Sequence, residues 1–469
     1  MTIAVEPVLA RIEAEDEDAI ERLKKLLSIP SVGTDPRYND LTRKCAEHLA
    51  DDFHAMGFAA RVHETPGQPV LVAHHPGPGG DVPHVLYYGH YDVQPPDPIE
   101  LWDSAPFEPV IVEGERGARI VARGAVDDKG QVMTWIEAMR AWLAVHDTLP
   151  IKVTVLLEGE EESGSPNLAS FLSAHRDELA ADVVLISDTC MWDVATPAIT
   201  TGVRGLVYAE AILHGPSHDL HSGGYGGIAL NPINALCRML AGLLDDQGRV
   251  SLPGFYDRVR ETPAEVKAQW QTLDFDERAL LRSIGLSHAH GEAARGPLER
   301  LWARPTCDIC GIIGGYTGDG SKTVIPAKAS AKISFRLVPD QDPSAVMAAL
   351  ALYLEERVPP DGRLELIEHA KAPAMQLNLD GPYMAAARAG LHSAYDRDAV
   401  MMGCGGSIPV VSSFKSILGL DALMVGFGLN DDRVHSPNEK FELACFRGGM
   451  RSHVYIMAEL ARMGGKAAA

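Results

Sequence analysis

Residues 151–165 read Ile151-Lys-Val-Thr-Val-Leu-Leu-Glu-Gly-Glu-Glu-Glu-Ser-Gly-Ser165, an apolar run that passes directly into three consecutive glutamates. The run at 151–157 reads as a buried strand, and similar short apolar strands occur at 70–73, 84–88 and 182–186. A helical pattern at about 130–143 lies among them. Strands alternating with helices predict an α/β sheet covered by helices. His90, Glu162 and Asp188 each follow one of these strands by two to five residues. Open α/β sheets bind ligands beyond the carboxyl ends of their strands, so this placement predicts one shared site.

Outward from that core, the chain opens with helices. Ile20, Leu23, Leu26 and Leu27 fall on one helical face ahead of Pro30, and Leu41, Cys45, Leu49 and Phe53 recur every four residues before Gly57. After Thr201-Gly-Val-Arg-Gly205 the texture changes. Residues 205–213 and 329–338 alternate as half-exposed strands do, the latter setting Ala329, Ala331 and Ile333 against Lys332, Ser334 and Arg336. Helical runs at 231–244 and 262–282 lie between them. The expectation is an inserted α+β domain at 206–378 that interrupts a first domain of two parts, 1–205 and 379–469. The return would run through a helix at 382–395 and a strand at 422–425, after which His435 can close the site. The fold class is thus a helix-covered mixed α/β sheet interrupted by an α+β domain.

Composition narrows the functional classes. With 469 residues the chain needs two or three domains, and 46% hydrophobic with 23% charged residues suits a soluble globular protein. The 42 basic and 64 acidic residues give a net charge of −22, which argues against nucleic acid or an anionic membrane as partner. No basic segment followed by an apolar core marks a leader, and no uncharged apolar stretch reaches the ~18 residues a membrane helix needs. Seven dispersed cysteines suggest free thiols in a reducing compartment, so a cytoplasmic location is expected. Cys307-x-x-Cys310 has no second pair nearby and reads as two strand or buried residues. His74-His75 and His288-Ala-His290 read as exposed turns rather than metal sites.

The residues that carry chemistry are His90, Asp127, Glu162, Asp188 and His435. Two imidazoles and three carboxylates suit a pair of zinc-like ions that share one carboxylate. His90 and Asp92 stand two apart at a strand end, on one side, so the carboxylate can order the imidazole's surroundings. Asp127 and Asp128 precede Lys129-Gly130 and a helix; one aspartate can cap that helix while the other coordinates. Three adjacent glutamates repel one another, and a divalent pair relieves that repulsion. Glu162 is assigned to a metal and Glu161 to the attacking water, although spacing alone leaves open which does which.

Gly89-His-Tyr-Asp-Val-Gln-Pro95, Arg123-Gly-Ala-Val-Asp-Asp-Lys-Gly130, Glu158-Gly-Glu-Glu-Glu-Ser-Gly-Ser165 and Ile186-Ser-Asp188 resemble motifs of the M20 metallopeptidases, in particular the carnosinase-like dipeptidase branch. The resemblance continues through Asp219-Leu-His-Ser-Gly223, Lys322-Thr-Val-Ile-Pro326, Phe335-Arg-Leu-Val-Pro339, Gly405-Gly-Ser-Ile-Pro409 and His435-Ser-Pro-Asn-Glu439. It implies a bimetallic catalytic domain interrupted by a lid that also forms a homodimer. His90, Asp127, Glu162, Asp188 and His435 would be the ligands, with Asp127 bridging. Asp92 would orient the site, Glu161 would be the general base, and His221 would stabilise the oxyanion in the partner subunit's site. Arg336 would hold a substrate carboxylate, with Thr323 and Ser407 beside it. A guanidinium fork suits a carboxylate, and an imidazole donor suits charge growing on a carbonyl oxygen.

The expected activity is therefore hydrolysis of the amide of a dipeptide or small peptide with a free carboxylate. The metals would be two zinc ions, with manganese or cobalt also compatible. The branch often has an acidic residue just before Gly-Gly-Ser-Ile-Pro, where this chain has Gly403-Cys404, which keeps an N-acyl-amino-acid deacylase as the alternative. Cys404 lacks an activating partner in the sequence and reads as a packed small residue. A non-catalytic metal-bound scaffold is the alternative of another class; the complete ligand set and base speak against it.

Overall fold

Strands β1 (Ala59–His63), β2 (Val70–His75), β3 (His84–His90), β4 (Lys152–Glu158), β5 (Val183–Ile186) and β6 (Ala198–Val203) build the central sheet of the computed structural model, which describes residues 4–405 and 409–464. The order across the sheet is β1-β2-β4-β3-β5, then a strand from far along the chain, Asp421–Met424, then β6. β3 runs parallel to β4 and β5, and Asp421–Met424 runs parallel to β5. The outer pairs β1–β2 and β2–β4 are antiparallel. The parallel strands are apolar along their length because both faces are covered: β5 is buried at all four positions.

Helices supply that cover. Helix Asp16–Leu27 buries Ile20, Leu23, Leu26 and Leu27, and helix Asn39–Ala55 buries Cys45, Leu49 and Phe53, the residues whose periodicity predicted them. Gly57, just beyond, takes φ +86°, a left-handed conformation that suits glycine. Helix Lys129–His146 is buried on nearly every side, and its Trp135 ring stacks on Tyr87 of β3 at 4.8 Å between centroids. Losing an aromatic side chain so placed costs cores about 3–5 kcal/mol. The helix starts hard against the loop that carries Asp127. A Cβ at Gly130 would lie 1.8 Å from the Ala125 carbonyl oxygen, so only glycine lets the two backbones approach.

The chain divides into two compact units. The first holds Met1–Thr201, Leu377–Met402 and Val410–Ala469; the second holds Gly202–Gln376 and Gly403–Pro409. In the second, β7 (Gly205–His214), β8 (Thr306–Gly314), β9 (Lys328–Leu337) and β10 (Arg363–Ala372) form an antiparallel sheet in the order β8-β9-β7-β10. β7 and β9 alternate strictly, burying Val207, Ala209, Ala211 and Leu213 together with Ala331, Ile333, Phe335 and Leu337. Helices Pro232–Ala241 and Pro343–Glu355 contribute to that same core. The charged run at 262–282 forms two short helices, Ala264–Thr272 and Glu277–Ser283.

Two expectations about loops need correction. His74 and His75 are not in an exposed turn: they close β2, where pairing with Thr154 and Val153 of β4 draws them into the sheet. Asp128 does not cap its helix. It occupies the cap position, yet its Oδ2 accepts from the His90 backbone N–H at 3.2 Å instead.

Candidate metal centre

His90 ends β3, and its ring is fully buried. Its Nδ1 donates to the Asp92 backbone carbonyl at 3.1 Å, which aims Nε2 inward. Nε2 lies 3.1 Å from Asp127 Oδ1 and 3.9 Å from Asp188 Oδ2, yet it makes no hydrogen bond. Asp127 Oδ2 lies 2.9 Å from His435 Nε2, and that nitrogen lies 3.1 Å from Glu162 Oε2. Two ligand groups result: His90, Asp127 and Asp188, then Asp127, Glu162 and His435, with ligand atoms within 4.8 Å in each. Asp127 belongs to both. All five ligand candidates are thus brought together.

The donor set fits a pair of divalent ions. Two donors about 2.1 Å from one tetrahedral ion lie about 3.4 Å apart. The observed 2.9–3.9 Å separations span that value. A buried imidazole nitrogen with no hydrogen-bond partner, aimed at two carboxylates, is what a ligand looks like before its ion is added. His435 is held in the left-handed region at φ 58°, a conformation that costs a non-glycine residue about 1 kcal/mol or more and clusters at functional sites.

The three adjacent glutamates have separate fates. Glu160 accepts from Asn167 Nδ2 at 2.8 Å and from the Gln68 backbone at 3.2 Å. Glu162 accepts from Gln94 Nε2 at 2.8 Å and faces His435. Glu161 enters neither ligand group. The Asp92 carboxylate accepts from the backbone N–H groups of Glu161 and Glu162, at 3.3 and 3.1 Å, and so ties their turn to the end of β3.

Charge in the centre is frustrated without cations. Burial pushes the Glu161 carboxyl up to about 8; His90 opposes this, while Asp188, Asp127 and Glu162 add to it. Burial, with Asp127, pushes Asp188 up to about 7. Hydrogen bonds to Asp127 and Glu162 hold His435 protonated up to about 10. In the metal-free chain, protons therefore stand where divalent charge belongs. Because the His435 proton must leave before Nε2 can ligate, apparent metal affinity should rise with pH, by about tenfold per unit for each proton displaced, until pH about 10. Calorimetric titration of zinc in buffers of different ionisation enthalpy checks this; a pH-independent affinity without proton release would contradict it.

A model of the peptidase family M20/M25/M40 matches residues 86–459, which take in all five ligand candidates. The chain belongs to that family. The M20 chain is 30% identical to the Cys-Gly metallodipeptidase DUG1 of Saccharomyces cerevisiae, over 96% of its own length and 97% of the relative's. Human carnosine dipeptidase 1 superposes with a TM-score of 0.83 at 28% identity, covering 98% of this chain and 100% of that one. An M20 metallo-carboxypeptidase from Sulfolobus solfataricus gives a TM-score of 0.83 at 30% identity, over 95% and 99%. The carnosinase-like branch suggested by the motifs is the right one, and the protein is a metal-dependent hydrolase of the M20 type.

The remaining candidates of the M20 chain lie in the second unit. His221 pairs with Val324 in a short two-stranded ladder, beside Thr323, whose carbonyl accepts from the Ser222 N–H at 3.0 Å. His221 is exposed, and its Nδ1 accepts from the backbones of Gly223 and Gly224 at 2.9 and 3.2 Å. That places the ring proton on Nε2, as a donor. Arg336 stands on β9 between Leu206 and Thr306. Ser407 lies outside the described residues. Sequence reading passed over Arg204, in the Thr201-Gly-Val-Arg-Gly205 segment. Its Nε donates to the Gly405 carbonyl at 2.9 Å, and burial, then the nearby charge of Arg336, lowers its pKa to about 10. Cys307 is buried and Cys310 exposed on β8, both as free thiols.

Glu439 ends the segment His435-Ser-Pro-Asn-Glu439. Its buried carboxylate accepts from Arg123 Nη1 at 2.7 Å and from the backbones of Gly124, Val126 and Asp127 at 3.0–3.1 Å. It therefore shapes the loop that presents Asp127. Glu439→Gln leaves Arg123, 1% exposed, without its countercharge and removes an acceptor from two N–H groups. A loss of about 3–5 kcal/mol is expected, read by urea unfolding of the metal-free protein. A change under about 1 kcal/mol would show that the pair is dispensable.

Proposed function

We propose that the chain hydrolyses the amide bond of dipeptides or other small peptides that carry a free carboxylate, with Glu161 as general base. The observation that carries this reading is the double ligand group sharing Asp127, with a non-ligating carboxyl, Glu161, on the neighbouring residue of the same turn. Two divalent ions bound there, zinc by preference and manganese or cobalt as alternatives, would polarise the scissile carbonyl and lower the pKa of a water towards ~7. Glu161 takes the proton of the attacking water and returns it to the leaving amine nitrogen. Asp92 holds the turn from which Glu161 and Glu162 project. His221, with its proton on Nε2, serves as oxyanion donor, in the partner's site if the family's dimer forms here. Arg336, assisted by Arg204, receives the substrate carboxylate, and Thr323 and Ser407 complete that end.

Self-association is supported by β8, an edge strand that exposes Ile309, Ile312 and Ile313. A cytoplasmic location is supported by the free thiols of Cys45, Cys237, Cys307, Cys310 and Cys445, and no described helix is long and apolar enough to cross a membrane.

One observation favours the deacylase alternative. The position just before Gly405 carries Cys404, whose thiol stands where the expected acid would supply a carboxylate. A substrate amine that depends on such an acid loses its partner. The deciding experiment strips the protein of metal, restores zinc or manganese, and offers free dipeptides alongside N-acetylated and succinylated amino acids. Metal-dependent cleavage of free dipeptides is expected. Cleavage confined to acylated substrates would move the assignment to a deacylase, and silence throughout would favour a scaffold.

A further inference from the structure

We propose that His63, His175 and Glu178 bind a further zinc-like divalent ion, at a site separate from the Asp127-centred pair and independent of the reading given to it. His63 is the last residue of β1; His175 follows the end of helix Leu168–Ala174, and Glu178 lies three residues on. Glu178 Oε1 is 3.6 Å from His63 Nε2, Glu178 Oε2 is 2.7 Å from His175 Nδ1, and the three ligand atoms lie within 4.8 Å of one another. Two imidazoles and a carboxylate at such spacings are a zinc-type donor set.

The second observation is His63 itself. It is only 8% exposed, and its Nε2 is buried without any hydrogen-bond partner while aimed at Glu178. A polar atom so placed calls for a partner that the chain does not provide. Phe171 walls the cluster, its ring stacked on His175 at 4.2 Å and 5.4 Å from the His63 ring, which keeps water from one side. A fourth ligand is at hand: His74 Nε2 lies 3.5 Å from Glu178 Oε1, and its Nδ1 is 3.0 Å from Thr154 Oγ1, which orients the ring.

The ion ties the residues after helix Leu168–Ala174 to the outer strands of the sheet. That helix begins five residues after Ser163, which ends the short turn holding Glu161 and Glu162. The ion is therefore structural, steadying an element next to the catalytic turn without taking part in it.

The test uses the full chain and zinc alone. After equilibrium dialysis, Glu178→Gln is expected to hold one zinc equivalent per chain fewer than wild type. His175→Ala, at a half-exposed position, should show the same deficit. Repeating the comparison in an Asp127→Ala background separates the two sites: the one-equivalent difference must persist there whatever the paired centre retains. Cobalt absorption in that background should also fall with His175→Ala. Equal metal content in the Glu178 and His175 pairs of proteins, in both backgrounds, would overturn the proposal.

Discussion

Glu161→Gln should keep its divalent metal and lose turnover by about 10²–10⁴-fold, a barrier increase of about 2.7–5.5 kcal/mol. The two halves of this expectation come from different observations. Metal retention follows because Glu161 belongs to neither ligand group, while Glu162 on the same turn does. The turn itself should survive, since Asp92 holds it through the backbone N–H groups of residues 161 and 162, which the substitution leaves in place. The activity loss follows because glutamine cannot accept the proton of the attacking water. Metal-free, the Glu161 carboxyl is pushed up to about 8 by burial, and positive charge at either ligand group favours its ionised, basic form. Metal analysis paired with steady-state kinetics checks both halves. Turnover near that of wild type would remove Glu161 from its role, and loss of metal would make it a ligand.

Asp127→Ala is expected to cost more than any other single ligand change. Asp188 and Glu162 each serve one ligand group, whereas Asp127 serves both, through a different oxygen for each imidazole. Its removal should weaken both ions, each by more than the about 10²-fold that losing a merely supporting contact costs. Asp188→Ala and Glu162→Ala should each weaken one. A readout free of metal exists as well. His435 is held protonated up to about 10 by Asp127 first and Glu162 second, so without Asp127 its pKa should fall back towards the usual histidine range. Magnetic resonance titration of the metal-free variant would follow this. If Asp127→Ala bound metal like wild type, the shared-ligand arrangement would be wrong.

Much of the candidate centre was legible because each proposed ligand sits in a local pattern that the chain order preserves. His90 and Asp188 follow apolar strands, and β3 and β5 indeed run parallel and adjacent, so both carboxyl ends open on one edge. Glu162 follows β4, which flanks β3 on its other side. The half-exposed strands of the second unit were equally plain, since alternation is a property of consecutive residues.

What the sequence could not supply were relations between distant positions. Glu439 reads as the end of a motif, and its work on Arg123 and the Asp127 loop spans more than 300 residues of chain. Lys129 reads as part of an acidic metal motif, yet its ammonium reaches the Ile29 carbonyl at 2.7 Å and closes the end of an earlier helix. Asp128 looked like a cap because caps are local, but a buried N–H of His90 claimed its oxygen.

The choice of candidate metal ligands, the alternation of strand and helix, and the family were thus determined by the amino-acid sequence itself. Those features depend on residue type and short-range order, which translate directly into donor chemistry and hydrophobic period. Only the tertiary structure decided which oxygen of Asp127 meets which imidazole, how three neighbouring glutamates part company, and that His63 comes to face Glu178. Such pairings are set by strand order and by the burial of polar atoms that must each find a partner, and neither leaves a mark at a fixed spacing along the chain.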